Sequence, residues 1–248
     1  MRVLRWLAFA AAVVVIAVAI GSRLYRSGTL RFNYPSRATY PIQGIDVSHH
    51  QGPIDWLALR GAGVDFAFIK VTEGGDHTDR TFDENWEIAG AAGVLRGAYH
   101  FFTFCTPGVL QARHFVATIA PLERELPAAA DVEFSGNCQN WSSIDAIRGE
   151  LQAFLGTVED ELGERPLLYV DGDSHRRIVD KHFPEYSLWV RDLFFEPRPA
   201  WYGKWRIWQF ADNARLPGIE GPVDLDAFCC SRADFDDWLQ SKASEAQP

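Results

Sequence analysis

The chain has 248 residues, of which 47% are hydrophobic and 13% aromatic, enough to bury a sizeable core. This composition excludes an intrinsically disordered protein. The formal net charge is −9, although the first 31 residues contain five arginines and no acidic residue. The rest of the chain is therefore strongly acidic, which argues against a nucleic acid as partner.

An apolar segment lies close to the N-terminus. Residues Trp6–Ile20 read WLAFAAAVVVIAVAI and are flanked by arginines on both sides. As a helix, this run is shorter than the ~30 Å hydrocarbon core of a membrane unless flanking residues contribute. Small residues at Ala17–Gly21 resemble a signal-peptidase site, but they lie within the apolar run. We predict a signal anchor or a signal peptide over residues 1–22, favour the anchor, and expect residues 6–20 to contact the membrane.

Residues 23–42 show no clear hydrophobic period, and we interpret them as a tether. From residue 43 onward, short runs rich in Val, Ile, Phe and Tyr alternate with segments of helical spacing. We predict one catalytic domain over residues 43–240 and a polar tail over residues 241–248. The predicted strands cover residues 44–48, 65–72, 95–102, 127–134, 166–171, 187–193, 206–211 and 223–228. The predicted helices cover residues 54–61, 81–92, 109–119, 144–162, 174–181 and 232–240.

The alternation of strands and helices predicts an α/β fold with a largely parallel sheet. Eight strands favour closure into a TIM-like (β/α) barrel, irregular because few helices separate the last three strands. A doubly wound open sheet is the competing fold. Its phosphate-binding loop is missing, since GAGVDF at Gly61–Phe66 lacks the third glycine and precedes a strand.

Polar side chains concentrate where the predicted strands end. Asp131 and Glu133 stand out, because residues i and i+2 of a strand face the same side, ~6.6 Å apart at Cα. Crowded carboxylates raise one another's pKa, so that one stays protonated as an acid while another is ionised. Glycosidic bond hydrolysis needs that division of roles. The other polar residues at strand ends are Asp46, Lys70, Glu73, Tyr99, His100, Tyr169, Asp171, Gln209 and Asp224.

Seven sequence motifs occur in a recognisable order. They are GIDVSHHQGPIDW (44–56), GVLRGAYHFF (93–102), DVEFSG (131–136), LLYVD (167–171), SLWVR (187–191), IWQF (207–210) and GIEGPVDLDAF (218–228). This series resembles the glycoside hydrolase family 25 muramidases of the Chalaropsis type, over about residues 43–239. The resemblance implies an irregular barrel that cleaves the β-1,4 bond between N-acetylmuramic acid and N-acetylglucosamine in peptidoglycan.

The resemblance also implies roles for individual residues. Glu133 is similar to the general acid of the family. Asp131 is similar to the residue that orients a substrate acetamido group or stabilises the charge developing at the sugar. Asp46 and Asp224 are similar to the other two acids of the active centre. The residues implied to line the cleft are Tyr99, Tyr169 and Gln209, and Trp189 offers an aromatic ring to a sugar.

Two positions leave the fine specificity open, and the role of a third residue, Lys70, has two interpretations. Arg191 stands where many members of the family have a small residue, and Asp226 stands where asparagine is common. Lys70, a candidate substrate-binding residue, either forms an ion pair with Glu73 or orients the acids of the cleft.

The chain contains four cysteines. Cys105 and Cys138 each follow one of two consecutive strands on the same barrel face, so they are a possible disulfide; four buried thiols are the alternative. A bridge between the adjacent Cys229 and Cys230 is disfavoured because it requires strain. Neither CxxC spacing nor an H-E-x-x-H motif is present, and we expect no metal and no cofactor.

Two other functions stay open at this point. One is a barrel that binds cell-wall glycan without cleaving it. The other is a different barrel glycosidase such as a chitinase, whose D-x-x-D-x-D-x-E motif would need acids at Leu126 and Ala129. The expected protein is a monomeric peptidoglycan hydrolase of the cell envelope, either anchored with its catalytic domain outside the cytoplasm or secreted.

Overall fold

This structure is a computed structural model that describes residues 2–30 and 32–245. The described residues form nine strands, and eight of them close into a barrel. The strands are β1 Gln43–Val47, β2 Phe66–Glu73, β3 His77–Thr78, β4 Leu95–Phe101, β5 Ala129–Val132, β6 Leu167–Asp171, β7 Leu188–Arg191, β8 Trp205–Ala214 and β9 Val223–Phe228. The helices are α1 Arg2–Arg26, α2 Trp56–Gly61, α3 Phe82–Ala91, α4 Gly108–Ile119, α5 Ile144–Leu162, α6 Gly172–Ser174, α7 Pro199–Tyr202 and α8 Arg232–Glu245. His49–Gln51 forms a 3₁₀ turn and His175–Val179 a π turn.

The strand order confirms the predicted barrel and excludes the open sheet. Parallel pairing runs from β1 through β2, β4, β5, β6 and β7 to β8. The last strand, β9, is antiparallel to both β8 and β1 and closes the barrel between them. The two-residue strand β3, which the sequence did not predict, pairs only with the end of β2 among the described strands.

The reversed direction of β9 changes the explanation for one predicted site residue. We predicted Asp224 at the carboxyl end of a strand, but it lies near the amino end of β9. Because β9 runs antiparallel, that end meets the carboxyl ends of the parallel strands at the same mouth of the barrel. Asp224 is thereby directly opposite Asp46 across the β1–β9 seam.

The barrel interior is filled by every second side chain of the strands. On β2, Phe66 and Phe68 belong to the interior cluster, and Lys70 follows on the same side towards the mouth. Two glycines make room for these rings. A Cβ at Gly44 would lie 2.4 Å from the Phe66 ring, and a Cβ at Gly97 would lie 2.4 Å from the Phe68 ring. The interior is therefore apolar below and polar at the mouth.

One predicted helix differs from the observed structure. We predicted a single helix over residues 174–181, but the chain forms the short α6 and then a π turn that ends at Val179. The N–H of Asp180 bonds to the carbonyl of His175 at 2.8 Å, and Lys181 adopts a positive φ of 63°. The wide turn and the left-handed residue end the helix early.

The structure contains two disulfides. One joins Cys105 and Cys138, with 6.1 Å between their Cα atoms, and so links the loops that follow β4 and β5. The other joins the adjacent Cys229 and Cys230, which corrects the expectation that strain disfavours this pairing. The adjacent pair lies directly after β9, where the chain turns towards α8.

The two disulfides should differ sharply in their contribution to stability. The Cys105–Cys138 bridge closes a loop of 33 residues, so replacing both cysteines with serine should lower the free energy of unfolding by about 2–4 kcal/mol. The bridge between the adjacent Cys229 and Cys230 closes no loop, so the same double replacement at these two positions serves as the matched control. Urea denaturation of both variants measures the difference, and equal losses would contradict the loop-closure explanation.

Helix α1 is exposed along its apolar stretch. Residues Arg5–Arg26 form one helix that is long and apolar enough, by length and composition, to cross a membrane. The segment interpreted as a tether contacts the barrel: Phe32 packs on Phe194, Tyr40 packs on Trp208, and Ile42 is fully buried. Residues 246–248 of the predicted polar tail lie outside the described residues, and α8 extends through Glu245.

Candidate active site

A cavity of about 370 Å³ opens at the mouth of the barrel. Its wall contains all nine residues predicted as catalytic or substrate-binding, which the barrel brings together from eight strands and the loop after β5. These residues are Asp46, Lys70, Tyr99, Asp131, Glu133, Tyr169, Trp189, Gln209 and Asp224.

A hydrogen-bonded network connects one side of this cavity. The Gln209 amide donates to Asp46 Oδ2 at 2.7 Å and to Asp224 Oδ2 at 3.2 Å. Its Oε1 accepts a hydrogen bond from the Tyr169 hydroxyl at 2.9 Å. Burial raises the pKa of both aspartates well above the usual range; the charge of Asp226 raises that of Asp46 further, and the charge of Asp46 raises that of Asp224. This part of the site therefore holds protons that an exposed aspartate would lose.

Asp226 extends the network below the cavity. It is fully buried, and its Oδ1 accepts a hydrogen bond from Trp189 Nε1 at 2.8 Å. Burial raises the pKa of Asp226, and the neighbouring Asp224 charge raises it further. A third carboxylate without a cation beside it is stable only when the group holds a proton.

Asp131 and Glu133 form the other side of the cavity. Asp131 is buried, and its Oδ1 has no hydrogen-bond partner among the described residues. Burial and the charge of Glu133 raise the pKa of Asp131 well above the usual range. Burial, together with the charge of Asp171, raises the pKa of Glu133 to about 7. The pair thus combines a carboxyl group that is half protonated near neutral pH with an unsatisfied acceptor.

Asn137 fixes the loop that carries Glu133. Its side-chain amide donates to the carbonyls of Glu133 and Phe102, both at 2.9 Å, and its Oδ1 accepts from the Phe104 N–H at 2.9 Å. The Cys105–Cys138 bridge joins the same two loops. Asn137 was not among the predicted site residues, although its place just after DVEFSG is a signal that could have identified it.

Lys70 forms the ion pair that was one of its two predicted roles. Its Nζ lies 2.7 Å from Glu73 Oε2, and the Lys70 side chain is only 9% exposed. The same ammonium lies 4.9 Å from the centre of the Phe101 ring. Its positive charge acts to lower the pKa of both Asp131 and Glu133, so the pair also affects the acids of the cleft.

Trp189, His100 and Trp208 lie near strand ends, but all three side chains are too buried to stack on a sugar. Trp189 is 1% exposed and stacks on Phe68 at 4.5 Å, so it forms the floor of the cavity. His100 lies outside the barrel interior, between Phe154 and Phe115, and burial lowers its pKa to about 3. Trp208 packs among aromatic residues away from the cavity.

Several cavity residues were not predicted. Ser48, His50 and Gln51 come from the 3₁₀ turn that follows β1, and Ser135 and Gly136 come from the loop after Glu133. All five lie within the motifs GIDVSHHQGPIDW and DVEFSG, two to five residues after Asp46 or Glu133, so the motif residues beyond each strand end were the signal that could have found them. Across residues 2–30 and 32–245, no group of three or more His, Cys, Asp or Glu side chains is arranged to hold a metal ion.

Comparison with known proteins identifies the family. The family model described as glycosyl hydrolases family 25 matches residues 45–219, which is more than half of the chain and includes eight of the nine site residues. The chain belongs to glycoside hydrolase family 25.

Individual relatives agree with this membership. The family 25 chain is 36% identical over 197 residues to the uncharacterized protein YegX of Escherichia coli K12, covering 77% of this chain and 71% of YegX. It is 30% identical over 206 residues to lysozyme M1 of Streptomyces globisporus, covering 79% of this chain and 70% of that lysozyme. The solved family 25 glycosyl hydrolase of Bacillus anthracis has a TM-score of 0.77 and 30% identity, covering 84% and 97% of the two chains. This family 25 protein is a glycoside hydrolase that acts on peptidoglycan, which removes the chitinase alternative.

Asp226 should lower the free energy of unfolding of the family 25 barrel at neutral pH. Its pKa is raised in the folded protein, so stability falls as pH rises from about 4, where the unfolded chain ionises. In Asp226→Asn, the amide oxygen still accepts the hydrogen bond from Trp189 Nε1. The amide NH₂ group takes the place of the O–H group of the protonated carboxyl. We expect a free energy of unfolding higher by about 1–2 kcal/mol at pH 7.

Denaturation at pH 3 and pH 7 measures this prediction. The difference between Asp226→Asn and wild type should shrink at pH 3, where the aspartate is protonated in both states. A variant that is less stable than wild type at pH 7 would show that Asp226 is ionised and supported by its surroundings.

Proposed function

We propose that this family 25 hydrolase cleaves the β-1,4 bond between N-acetylmuramic acid and N-acetylglucosamine, with Glu133 as the general acid. The observation that carries the proposal is the position of Glu133 in the wall of the acidic cavity, next to Asp131, where burial and the charge of Asp171 raise its pKa to about 7. At neutral pH a substantial fraction of the enzyme therefore has the proton that the leaving oxygen needs. Its proton passes to the glycosidic oxygen as the C–O bond breaks, and water completes the hydrolysis at the anomeric carbon.

Asp131 complements the acid in this proposal. Its buried Oδ1 lacks a partner within the described part of the chain, so it is available to a donor on the substrate. The N–H of an acetamido group is such a donor, and both sugars of the glycan carry one. When Glu133 holds the proton, its charge no longer raises the pKa of Asp131, and the Lys70 ammonium lowers that pKa; Asp131 is then the ionised member of the pair and stabilises positive charge as it develops at the sugar ring. Both effects strengthen in the transition state.

Asp46 and Asp224 have a different function in this scheme. Gln209 bridges them, and burial holds protons on the pair. Protonated carboxyl groups donate hydrogen bonds, so this side of the cleft can bind sugar hydroxyl and carbonyl oxygens. The substrate is thus held between a donor-rich side and the Asp131–Glu133 side.

The N-terminal helix supports an extracytoplasmic location near a membrane. Lysozyme relatives act on cell wall, which lies outside the cytoplasm, and the chain has a helix long enough to span a bilayer. We propose that residues 1–22 remain attached as an anchor. Membrane fractionation followed by intact-mass measurement tests this point: an anchored protein retains the helix, whereas a cleaved one is soluble and shorter.

Digestion of purified peptidoglycan tests the activity. The enzyme should release soluble fragments with N-acetylmuramic acid at the reducing end, which borohydride reduction and mass spectrometry identify. Fragments with reducing-end N-acetylglucosamine would assign cleavage to the other glycosidic bond. Binding without any release would remove the proposed chemistry and leave a wall-binding barrel.

A further inference from the structure

Arg191 lies at the mouth of the barrel without a role in the scheme above. It ends β7, in register with Asp171 on β6 and Gln209 on β8. Side chains alternate along a strand, so Arg191 faces the same side as the interior residue Trp189, one layer nearer the mouth. Its side chain is 34% exposed. A guanidinium therefore lies at the rim of a cavity lined by acids.

The end of the N-terminal helix helps to hold this guanidinium. Arg191 Nη2 lies 2.9 Å from Asp212 Oδ2, and the other carboxylate oxygen of Asp212 accepts a hydrogen bond from the Tyr25 hydroxyl. The neighbouring Asn213 amide donates to the Tyr25 carbonyl at 2.8 Å. Both oxygens of Asp212 are thus engaged, one by the rim arginine and one by α1.

Most of the donors of Arg191 remain available. A guanidinium has five N–H groups, and within the described chain one of them is engaged, by Asp212. Its charge acts to lower the pKa of Glu133 and Asp224, which places it within electrostatic reach of both acids. Lys70, the lysine in the cavity wall, is already paired with Glu73 and is buried. Arg191 can therefore bind an anion without losing its support.

The substrate supplies a suitable anion. N-acetylmuramic acid differs from N-acetylglucosamine by a lactyl ether, which ends in a carboxylate or carries a stem peptide with carboxylates of its own. The planar fork of arginine fits a carboxylate with two parallel hydrogen bonds. We infer that Arg191 is a specificity-determining residue that binds a carboxylate of the muramic acid side chain, held in position by Asp212 and Tyr25. This inference rests on the proposed muramidase activity.

Kinetics on paired substrates test the inference with the full chain in detergent. The substrates are soluble glycan strands that carry stem peptides, strands freed of peptides by an amidase, and carbodiimide-amidated versions of both. In Arg191→Gln, KM should rise roughly tenfold or more on a carboxylate-bearing substrate and stay unchanged on its amidated version. A rise confined to the peptide-bearing strands identifies a stem-peptide carboxylate, and one confined to the freed strands identifies the lactyl carboxylate.

Two further variants test the support of the arginine. Tyr25→Phe removes one hydroxyl, and Asp212→Asn removes the ion pair while leaving Arg191 in place. Each should raise KM on the same substrate by roughly two- to fivefold, with kcat little changed. If Arg191→Gln does not fold, these two variants carry the test alone. Arg165→Gln removes a positive charge close to the amino end of β6 and is the matched control.

The outcomes separate the inference from the activity on which it rests. Equal KM changes on the amidated and unmodified strands would overturn the carboxylate assignment. Unchanged KM in Tyr25→Phe and Asp212→Asn would overturn the role of the helix end. Absence of cleavage by the wild type on every substrate would instead refute the muramidase activity itself.

Discussion

Replacing Glu133 with glutamine should lower kcat on peptidoglycan by about 10²–10⁴-fold while leaving substrate binding close to wild type. Glutamine has nearly the same shape, and the Asn137 hydrogen bond to residue 133 uses only the backbone carbonyl. The amide cannot deliver a proton to the leaving oxygen. The measurement is the initial rate of reducing-end release, together with a pull-down on insoluble peptidoglycan. A rate within a few-fold of wild type would remove Glu133 from the acid role.

The pH dependence gives a second, independent sign of the same group. Since the acid works in its protonated form, wild-type kcat/KM should fall above about pH 7, where burial and the charge of Asp171 place the pKa of Glu133. The residual activity of Glu133→Gln should lack this alkaline limb. A limb of unchanged position in the variant would mean that another group titrates there.

Glu133→Gln should be more stable than the wild type at neutral pH, although it is less active. The pKa of Glu133 rises from an ordinary value of 4.5 to about 7 on folding, so the folded state binds the proton more tightly. This contribution is present below pH 4.5 and is lost as pH rises to about 7. Relative to wild type, Glu133→Gln should therefore gain up to about 3 kcal/mol between pH 4 and pH 8. Glu161→Gln, at an exposed position of α5, is the control and should change neither activity nor this pH dependence.

The position of the acids could be read from the sequence because strand geometry is local. Residues i and i+2 share a face, so DVEF predicts that Asp131 and Glu133 reach the same cavity. The same rule explains why Gln209, two residues after the interior Ile207, faces Asp46 and Asp224. Short apolar runs followed by polar residues therefore carry most of the information about the mouth of this barrel.

Contacts between residues far apart in the chain were harder to predict from the sequence. The direction of β9 depends on the short connection from β8, and nothing within VDLDAF distinguishes a parallel from an antiparallel strand. The residues near Asp212 were also missed, since Tyr25 and Asp212 are 187 positions apart and neither belongs to a motif. The segment 32–42 lacks a period because its aromatic side chains fill separate gaps on the barrel surface, such as Tyr34 against Phe210 and Tyr40 against Trp208.

Asp131→Asn is expected to be the second most damaging substitution. The buried Oδ1 of Asp131 lacks a partner among the described residues, so a substrate donor would satisfy it. Asparagine keeps an acceptor oxygen but loses the negative charge that stabilises an electron-poor sugar ring. We expect kcat to fall by about 10²–10³-fold, with a smaller change in KM, because the interaction strengthens in the transition state.

The pH profile distinguishes this loss from that of the acid. The largest charged influence that raises the pKa of Glu133 comes from Asp171, so Asp131→Asn should retain the alkaline limb near pH 7 at a lower overall rate. Asp160→Asn, an exposed position on α5, controls for the loss of one negative charge. If Asp131→Asn instead abolished the limb, the proton that limits catalysis would belong to Asp131. The general acid would then be the carboxyl group inside the strand, and Glu133 would take the role of its charged partner.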